Sequence, residues 1–474
     1  MQPARALPAA GLARRGIAYY AGQSPAPQVN HGIAMAIEAN PQPVDFRARA
    51  RFAVQHEDEA LAESAYARVL DSEPGDVEAL QFLAHLQLVR GFAHRAVEML
   101  QVAAQAHPDV AGTWHQLGAS QMMDGDLRGA AESLRRALQL GPQMFVARLR
   151  LGTVLEQLGE SHQALVEYFG AINVAQGQGR WLSEETTAPG IREAVKHAIR
   201  YVDAGRHALF EQTMEPLRQR YGRAEMARVD QALAIYLGEQ PANIPDPRQK
   251  PKFLYFPGVP SRTYYARENF PWYAQLEAST DIVREELRQV LLEAQDDLES
   301  FLGGPAGDLP GLLKGSGKVP ASWDAFFFFR HGERFDEHLK RCPHTAALLH
   351  ELPLVRVRAH APEALFSVLR PGSHILPHRG VTNTRLVTHL PLIVPPDCAI
   401  RVGGEIHAWQ EGRAVTFDDT MEHEAWNRSG ETRVVMILDC WNPDMTEAEQ
   451  GAITELVGAI GDFNAASRVA MPTG

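Results

Sequence analysis

Residues 366–390 read FSVLRPGSHILPHRGVTNTRLVTHL. Short apolar runs in this stretch are separated by turn residues, a texture typical of short β-strands. The same texture predicts a buried strand at 326–329, a helix at 336–350, and strands at 354–360, 364–370, 385–394, 398–403, 413–418, 423–427 and 432–440. Many short strands parted by Gly and Pro predict a jelly roll, a cupin-like double-stranded β-helix.

Two histidines in this region have neighbours that suit a metal site. Residues 377–380 read as a turn that contains His378, and His423 is predicted to begin a strand. Arg433 follows at the head of the next apolar strand. In jelly-roll oxygenases, a second histidine ligand followed by a basic residue at about this spacing holds a metal and a dicarboxylate together. A salt bridge from Arg433 to Glu431 or Asp419 is the ordinary structural alternative.

The blocks around these residues resemble the aspartyl/asparaginyl β-hydroxylase family. They lie, in order, at 366–374, 377–378, 382–386, 389–390, 402–405, 409–412 and 441–443. The similarity covers 320–445 strongly and 250–320 loosely. It implies a dioxygenase that depends on Fe(II), 2-oxoglutarate and O2.

The resemblance also implies roles for individual residues. His378 and His423 would be the iron ligands. Arg433, assisted by the Ser367 hydroxyl, would bind the C5 carboxylate of 2-oxoglutarate. His389 would reach the C1 carboxylate end, and Arg385 would bind the acidic or amide group of the substrate or share the C1 end.

Two positions depart from wider patterns. Most relatives in the larger superfamily carry a carboxylate two residues after the first histidine, where this chain has Gly380. The β-hydroxylase family lacks that carboxylate too, so water is expected at the vacant position, with Asp419 as a less favoured substitute ligand. Family members that act on proteins tend to carry a second arginine at the position of Val387. Because this chain lacks that second arginine, the resemblance does not specify which substrate is hydroxylated.

The N-terminal half repeats with a period of 34 residues. Pro74, Pro108 and Pro142 end successive units, and Gly91, Gly125 and Gly159 lie between the two helices of each. Leucines recur at 83, 117 and 151, and small residues at 84, 118 and 152. Residues 43–178 therefore predict an α-solenoid that resembles tetratricopeptide repeats, with a degenerate first unit at 43–76. Such repeats offer a concave surface for a peptide or protein.

The remaining chain completes a four-part organisation. We expect a poorly ordered leader at 1–42, capping or linking helices at 179–250, and the hydroxylase-like domain at 251–474. A net charge of -12 argues against a nucleic-acid partner. Three scattered cysteines and the lack of a long apolar stretch predict a cytoplasmic protein without a membrane span.

The expected function is hydroxylation of an unactivated carbon, first of all the β-carbon of Asp or Asn in a peptide or protein delivered along the repeats. One rival keeps the iron site but hydroxylates a free or carrier-bound amino acid or a lipid. A second rival is a non-catalytic adaptor in which the repeats alone act.

Overall fold

The computed structural model describes residues 45–301, 311–316 and 320–469. The chain divides into two compact units, Met1–Val202 and Asp203–Gly474. The leader predicted at 1–42 lies outside the described residues. The domain limits expected at 178 and 250 stay predictions.

The described part of the first unit consists of helices arranged in consecutive antiparallel pairs. They are α1 (Phe46–Gln55), α2 (Glu59–Ser72), α3 (Val77–Val89), α4 (Ala93–Ala106), α5 (Ala111–Asp124), α6 (Leu127–Leu140), α7 (Phe145–Gln157) and α8 (Ser161–Gly177). Between the helices of the last three pairs, Gly91, Gly125 and Gly159 have φ of 85°, 87° and 79°. Only glycine adopts this left-handed conformation without a steric cost, so each can end its helix sharply. The predicted helical solenoid is confirmed.

Small residues at the recurring position let the two helices of a pair approach closely. A Cβ atom on Gly118 would lie 2.7 Å from Cγ of Leu134, and one on Gly152 would lie 2.6 Å from Cδ1 of Tyr168. Both partners are fully buried. The series at 84, 118 and 152 is therefore a packing requirement.

Replacing Gly118 with alanine is expected to destabilise the first unit by about 1–3 kcal/mol, because the methyl group overlaps Leu134. Gly112 lies in the same helix, and a Cβ atom there meets nothing within 4 Å. Gly112→Ala should instead stabilise it by about 0.5–1 kcal/mol through helix propensity. Urea unfolding of the full chain, followed by helical circular dichroism, measures both. Equal effects of the two substitutions would contradict the packing argument.

The second unit begins within α9 (Arg192–Tyr221) and adds six further helices. These are α10 (Ala227–Tyr236), α11 (Tyr273–Ala278), α12 (Thr280–Glu293), α13 (Asp336–Arg341), α14 (Pro343–Glu351) and α15 (Glu447–Ala466). No helix in the described ranges is long and apolar enough to cross a bilayer.

Twelve described strands of the second unit form two antiparallel sheets. They are β1 (Glu299–Ser300), β2 (Leu313–Gly315), β3 (Trp323–Arg330), β4 (Glu333–Arg334), β5 (Ala364–Leu369), β6 (Ser373–His378), β7 (Arg385–Ile393), β8 (Cys398–Val402), β9 (Glu405–Ala408), β10 (Val415–Phe417), β11 (His423–Asn427) and β12 (Arg433–Trp441). The larger sheet has the order β1-β3-β5-β12-β7-β10, with β4 on β3, and the smaller has β2-β6-β11-β8-β9. From β5 to β12 the chain alternates between the sheets, except at the β8–β9 hairpin. This is the predicted double-stranded β-helix.

Side chains from both sheets pack against each other in part of the space between them. Leu369 and Val435 come from the larger sheet, and Ile375 and Ile400 from the smaller, and all belong to one buried cluster. The opposite face of the larger sheet is covered by helices, including α12 and α14. The rest of the space between the inner faces of the sheets forms a cavity.

Several local predictions were wrong. The sequence placed His378 on a turn, whereas it ends strand β6. The strand expected at 354–360 is absent from this described segment, where only isolated bridges such as Val357 to Ala361 occur. The helix expected at 336–350 is divided at Cys342, because Pro343 starts a new helix and cannot continue the old one.

Candidate active site

A cavity of about 660 Å³ opens between the two sheets. The six residues that the sequence predicts as ligands or co-substrate contacts all line it: Ser367, His378, Arg385, His389, His423 and Arg433. They lie on strands β5, β6, β7, β11 and β12. Strand pairing thus brings together residues that are far apart in the chain, although their individual roles stay predictions.

His378 and His423 face each other across neighbouring strands. They are register partners in the β6–β11 pair, and their ring centroids lie 4.0 Å apart. In each ring Nδ1 donates to the carbonyl oxygen two residues earlier, at 2.9 Å to Leu376 and 3.1 Å to Met421. A bond that holds Nδ1–H leaves Nε2 as the lone-pair atom. In both rings Nε2 is therefore the nitrogen that can bind a metal ion.

Burial keeps these rings neutral. It is the largest cause that lowers the pKa of His378, and burial followed by the neighbouring His378 lowers the pKa of His423 to about 3. Neutral imidazole is the form that binds a metal ion. Within the described residues, no third His, Cys, Asp or Glu joins the two in a metal-binding group. The pair could hold a metal ion only with other ligands completing the coordination.

Gly380 and Asp419 occupy the same corner of the site. A Cβ atom on Gly380 would overlap the carboxyl group of Asp419, and the Gly380 N–H donates to the Asp419 carbonyl oxygen at 2.6 Å. Burial raises the pKa of Asp419 to about 7, and its Oδ1 has no hydrogen-bond partner. A side chain at 380 would therefore have to displace the Asp419 carboxyl group.

Arg433 is a buried cation without a carboxylate partner. Only 1% of it is exposed, and Nη1 donates to the Ser367 carbonyl at 3.2 Å and hydroxyl at 3.4 Å. Its guanidinium lies 5.0 Å from the centroid of the Trp409 ring. No acidic side chain of the described ranges pairs with it, so the predicted alternative of an ion pair with Glu431 or Asp419 is not found. Burial lowers the pKa of Arg433 to about 10.

An unpaired buried charge is costly, and proteins seldom keep one unless it binds something. The Nε atom of Arg433 has no partner, and neither does Nδ1 of the nearby buried His389. Burial lowers the pKa of His389 well below its ordinary value, and the charge of Arg433 adds to the effect. This end of the cavity thus presents an uncompensated positive charge that an anion can neutralise.

Arg385 differs from Arg433 because it already has a partner. It pairs with Asp439 at 2.5 Å, and Asp439 is completely buried in strand β12. Asp439 also accepts a hydrogen bond from the Glu363 backbone N–H at 2.9 Å. Asp439 thus largely neutralises the charge of Arg385, which the sequence analysis assigned to substrate binding. Asp439 is an acidic residue in the otherwise apolar strand 434–441, and this feature of the sequence could have indicated a buried ion pair.

Sequence reasoning also missed Lys252, Phe253 and Trp323, which line the cavity. Trp323 Nε1 donates to the Ser367 hydroxyl at 2.9 Å and so orients it. Lys252 and Phe253 belong to a segment at the beginning of the domain predicted at 251–474. Nothing in the local pattern connects that segment with the strands more than a hundred residues later.

The second unit thus combines two antiparallel sheets with a cavity that contains two facing histidines and an unpaired arginine. Residues 277–443 match the family model described as "Aspartyl/Asparaginyl beta-hydroxylase". The resemblance that the sequence blocks predict is therefore confirmed for this region.

Individual relatives agree with the family match. The chain is 37% identical over 182 residues to the ornithine lipid ester-linked acyl 2-hydroxylase of Rhizobium tropici, covering 38% of this chain and 60% of the relative. It is 26% identical over 404 residues to the aspartyl/asparaginyl beta-hydroxylase of Mus musculus, covering 80% of this chain and 51% of the relative. The chain thus spans about half to three fifths of the length of these relatives.

Among solved structures, a crystal structure of MamA matches 32% of this chain and 90% of its own, with 22% identity and a TM-score of 0.26.

Proposed function

We propose that the second unit is a hydroxylase that uses ferrous iron, 2-oxoglutarate and O2 to place a hydroxyl group on an unactivated carbon. The observation that carries this proposal is the joint placement of two neutral histidines, each with Nδ1 bonded to a backbone carbonyl, and a buried arginine without an acid. Two neutral nitrogen ligands fit a divalent transition metal, and an unpaired guanidinium fits a carboxylate. The named family supports the same conclusion.

Each residue of the site would have a distinct task. His378 and His423 would hold the iron, which together with 2-oxoglutarate and O2 supplies the oxidising power to break a C–H bond. Arg433 and the Ser367 hydroxyl would bind the distal carboxylate of 2-oxoglutarate. His389 would lie at the other end of the co-substrate. The apolar side chains of Leu365, Val387 and Ile437, which line the cavity, would exclude water.

The first candidate substrate is the β-carbon of an Asp or Asn residue in a peptide or protein. The family match and the Mus musculus relative, whose alignment also covers much of the repeat region, support it. In this proposal the repeats of the first unit hold the rest of the substrate chain, since solenoids present extended concave surfaces.

A second candidate is a non-peptide substrate, such as an amino acid on a carrier or a lipid acyl chain. The apolar Val387 at the expected arginine position and the name of the Rhizobium tropici relative favour it. A panel of peptides, free amino acids and acyl lipids, each assayed for succinate release, separates the two candidates.

The proposal is tested by incubating the full chain with Fe(II), 2-oxoglutarate and O2. We expect 2-oxoglutarate to be converted to succinate, and a substrate to gain one oxygen atom in its mass spectrum. A wild-type protein that binds neither iron nor 2-oxoglutarate would refute the proposal and favour the non-catalytic adaptor. If His378→Ala loses iron binding while the biological role persists, the adaptor is again the better explanation.

A further inference from the structure

One segment outside the two sheets contacts the chain segments next to both histidines. We call residues 249–256 the strap. The Lys250 N–H donates to the Thr420 carbonyl at 3.0 Å, and the Lys252 N–H donates to the Gly380 carbonyl at 3.3 Å. Thr420 lies just before His423 in the chain, and Gly380 lies just after His378. The strap is therefore tied to the sequence neighbours of both histidines.

Buried polar contacts hold the strap in place. Gln249 is 1% exposed and donates through Nε2 to the carboxylate of Asp418. At the other end, the Phe256 N–H donates to Oδ1 of Asn383 at 2.7 Å, and Asn383 Nδ2 donates back to the Phe256 carbonyl at 2.8 Å. Buried hydrogen bonds at both ends restrict the backbone between them. The position from which the Lys252 side chain extends is consequently well defined.

Lys252 lines the cavity and has no carboxylate partner among the described residues. Other cations on the cavity wall are engaged: Arg330 pairs with Glu299 at 3.3 Å, and Arg385 pairs with Asp439. Arg433 is unpaired but buried beside Ser367. Among the described residues of the cavity wall, Lys252 and Arg433 are thus the two unpaired cations. Lys252 is exposed, whereas Arg433 is buried.

The two unpaired cations lie at different parts of the site. The backbone of Lys252 is hydrogen-bonded to Gly380, two residues after His378. Arg433 instead lies beside Ser367, to which its Nη1 donates. Lys252 therefore extends from the side of the cavity next to the histidine pair, and Arg433 lies on the side of Ser367.

We infer that Lys252 binds an anionic group of the substrate, so that the preferred substrate carries a carboxylate close to the carbon that is hydroxylated. The inference rests on the proposed function, in which Arg433 is occupied by the co-substrate. It assigns to Lys252 the task that the sequence assigned to Arg385, whose charge Asp439 neutralises. A lysine ammonium on a flexible stem suits a carboxylate whose position varies slightly between substrates. Asp would then be preferred over the equally sized, neutral Asn.

The test uses the full chain with iron and two short peptides that differ only in a central Asp or Asn. Hydroxylation is measured by mass spectrometry, and kcat/KM is compared between the peptides. Lys252→Met should lower kcat/KM for the Asp peptide by about tenfold to a hundredfold, the usual loss when a charged hydrogen bond is removed. The Asn peptide should change by less than about threefold, and Lys252→Arg should keep most of the Asp preference.

Lys250→Met is the matched control, because Lys250 is an exposed lysine of the same strap that does not line the cavity. It should leave the Asp preference intact. Equal losses for both peptides in Lys252→Met, or no loss for either, would overturn the inference. The inference would also be overturned if the wild-type enzyme converted 2-oxoglutarate to succinate but neither bound nor hydroxylated either peptide. The proposed hydroxylase function would then still stand. A wild type that cannot convert 2-oxoglutarate at all overturns both.

Discussion

Replacing His378 with alanine is expected to abolish iron binding and with it the conversion of 2-oxoglutarate. Loss of even an outer hydrogen-bond partner of a metal ligand typically costs about 10–100-fold in metal affinity or activity, so loss of one of two protein ligands should cost more than about a hundredfold. The structure describes no third His, Cys, Asp or Glu grouped with the pair that could take its place. Anaerobic calorimetry with Fe(II), together with a succinate assay, measures both quantities.

His423→Ala should behave in the same way, because the two rings share one position in the strand register. His350→Ala is a suitable control, since His350 is exposed at the end of α14. It should leave iron affinity unchanged. Undiminished iron binding by both His378→Ala and His423→Ala would show that the metal, if any, binds elsewhere.

The second large effect is expected at Arg433. Arg433→Met should weaken 2-oxoglutarate binding by about tenfold to a hundredfold or more, because a charge-assisted hydrogen bond contributes about 1.5–3 kcal/mol and a bidentate contact contributes more. Calorimetry in the presence of ferrous iron and absence of O2 gives the dissociation constant. Succinate, which retains the distal carboxylate, should lose affinity in parallel.

The same substitution has an informative effect on stability. The charge of Arg433 is buried without a carboxylate partner, so the ligand-free protein gains little from it. We expect the free energy of unfolding of Arg433→Met without ligand to stay level or to rise by up to about 2 kcal/mol. If the substitution instead destabilised the fold strongly and left 2-oxoglutarate affinity unchanged, Arg433 would be a structural residue.

Much of the first unit was predictable because its information is local and repeated. The helix pairs α3–α4 and α5–α6 each have a small residue where the two helices cross, a glycine that breaks the helix between them, and a proline that ends the second helix. These residues recur with the same 34-residue period. Gly118, Gly125 and Pro142 can therefore be read without knowing any distant contact. The left-handed glycines and the close approach at Gly118 follow the prediction.

The strands were harder to predict than the fold class. The sequence predicted a turn at 377–380, yet Pro377 and His378 are the last residues of β6 at the centre of the site. Pairing with β2 and β11 overrides the local preference. A strand whose partners lie in other parts of the chain cannot be recognised reliably from its own residues.

For the site, the sequence by itself identified residues that come together: His378, His423 and Arg433 stand in a spacing and a set of blocks that resemble a family, and the structure brings all three to one cavity. Only the tertiary structure decided how charge is distributed there. It pairs Arg385 with Asp439, fits Gly380 against Asp419 and brings Lys252 of the strap to the cavity. These contacts join residues distant in the chain, and their proximity depends on sheet packing and strap placement, which no local pattern specifies.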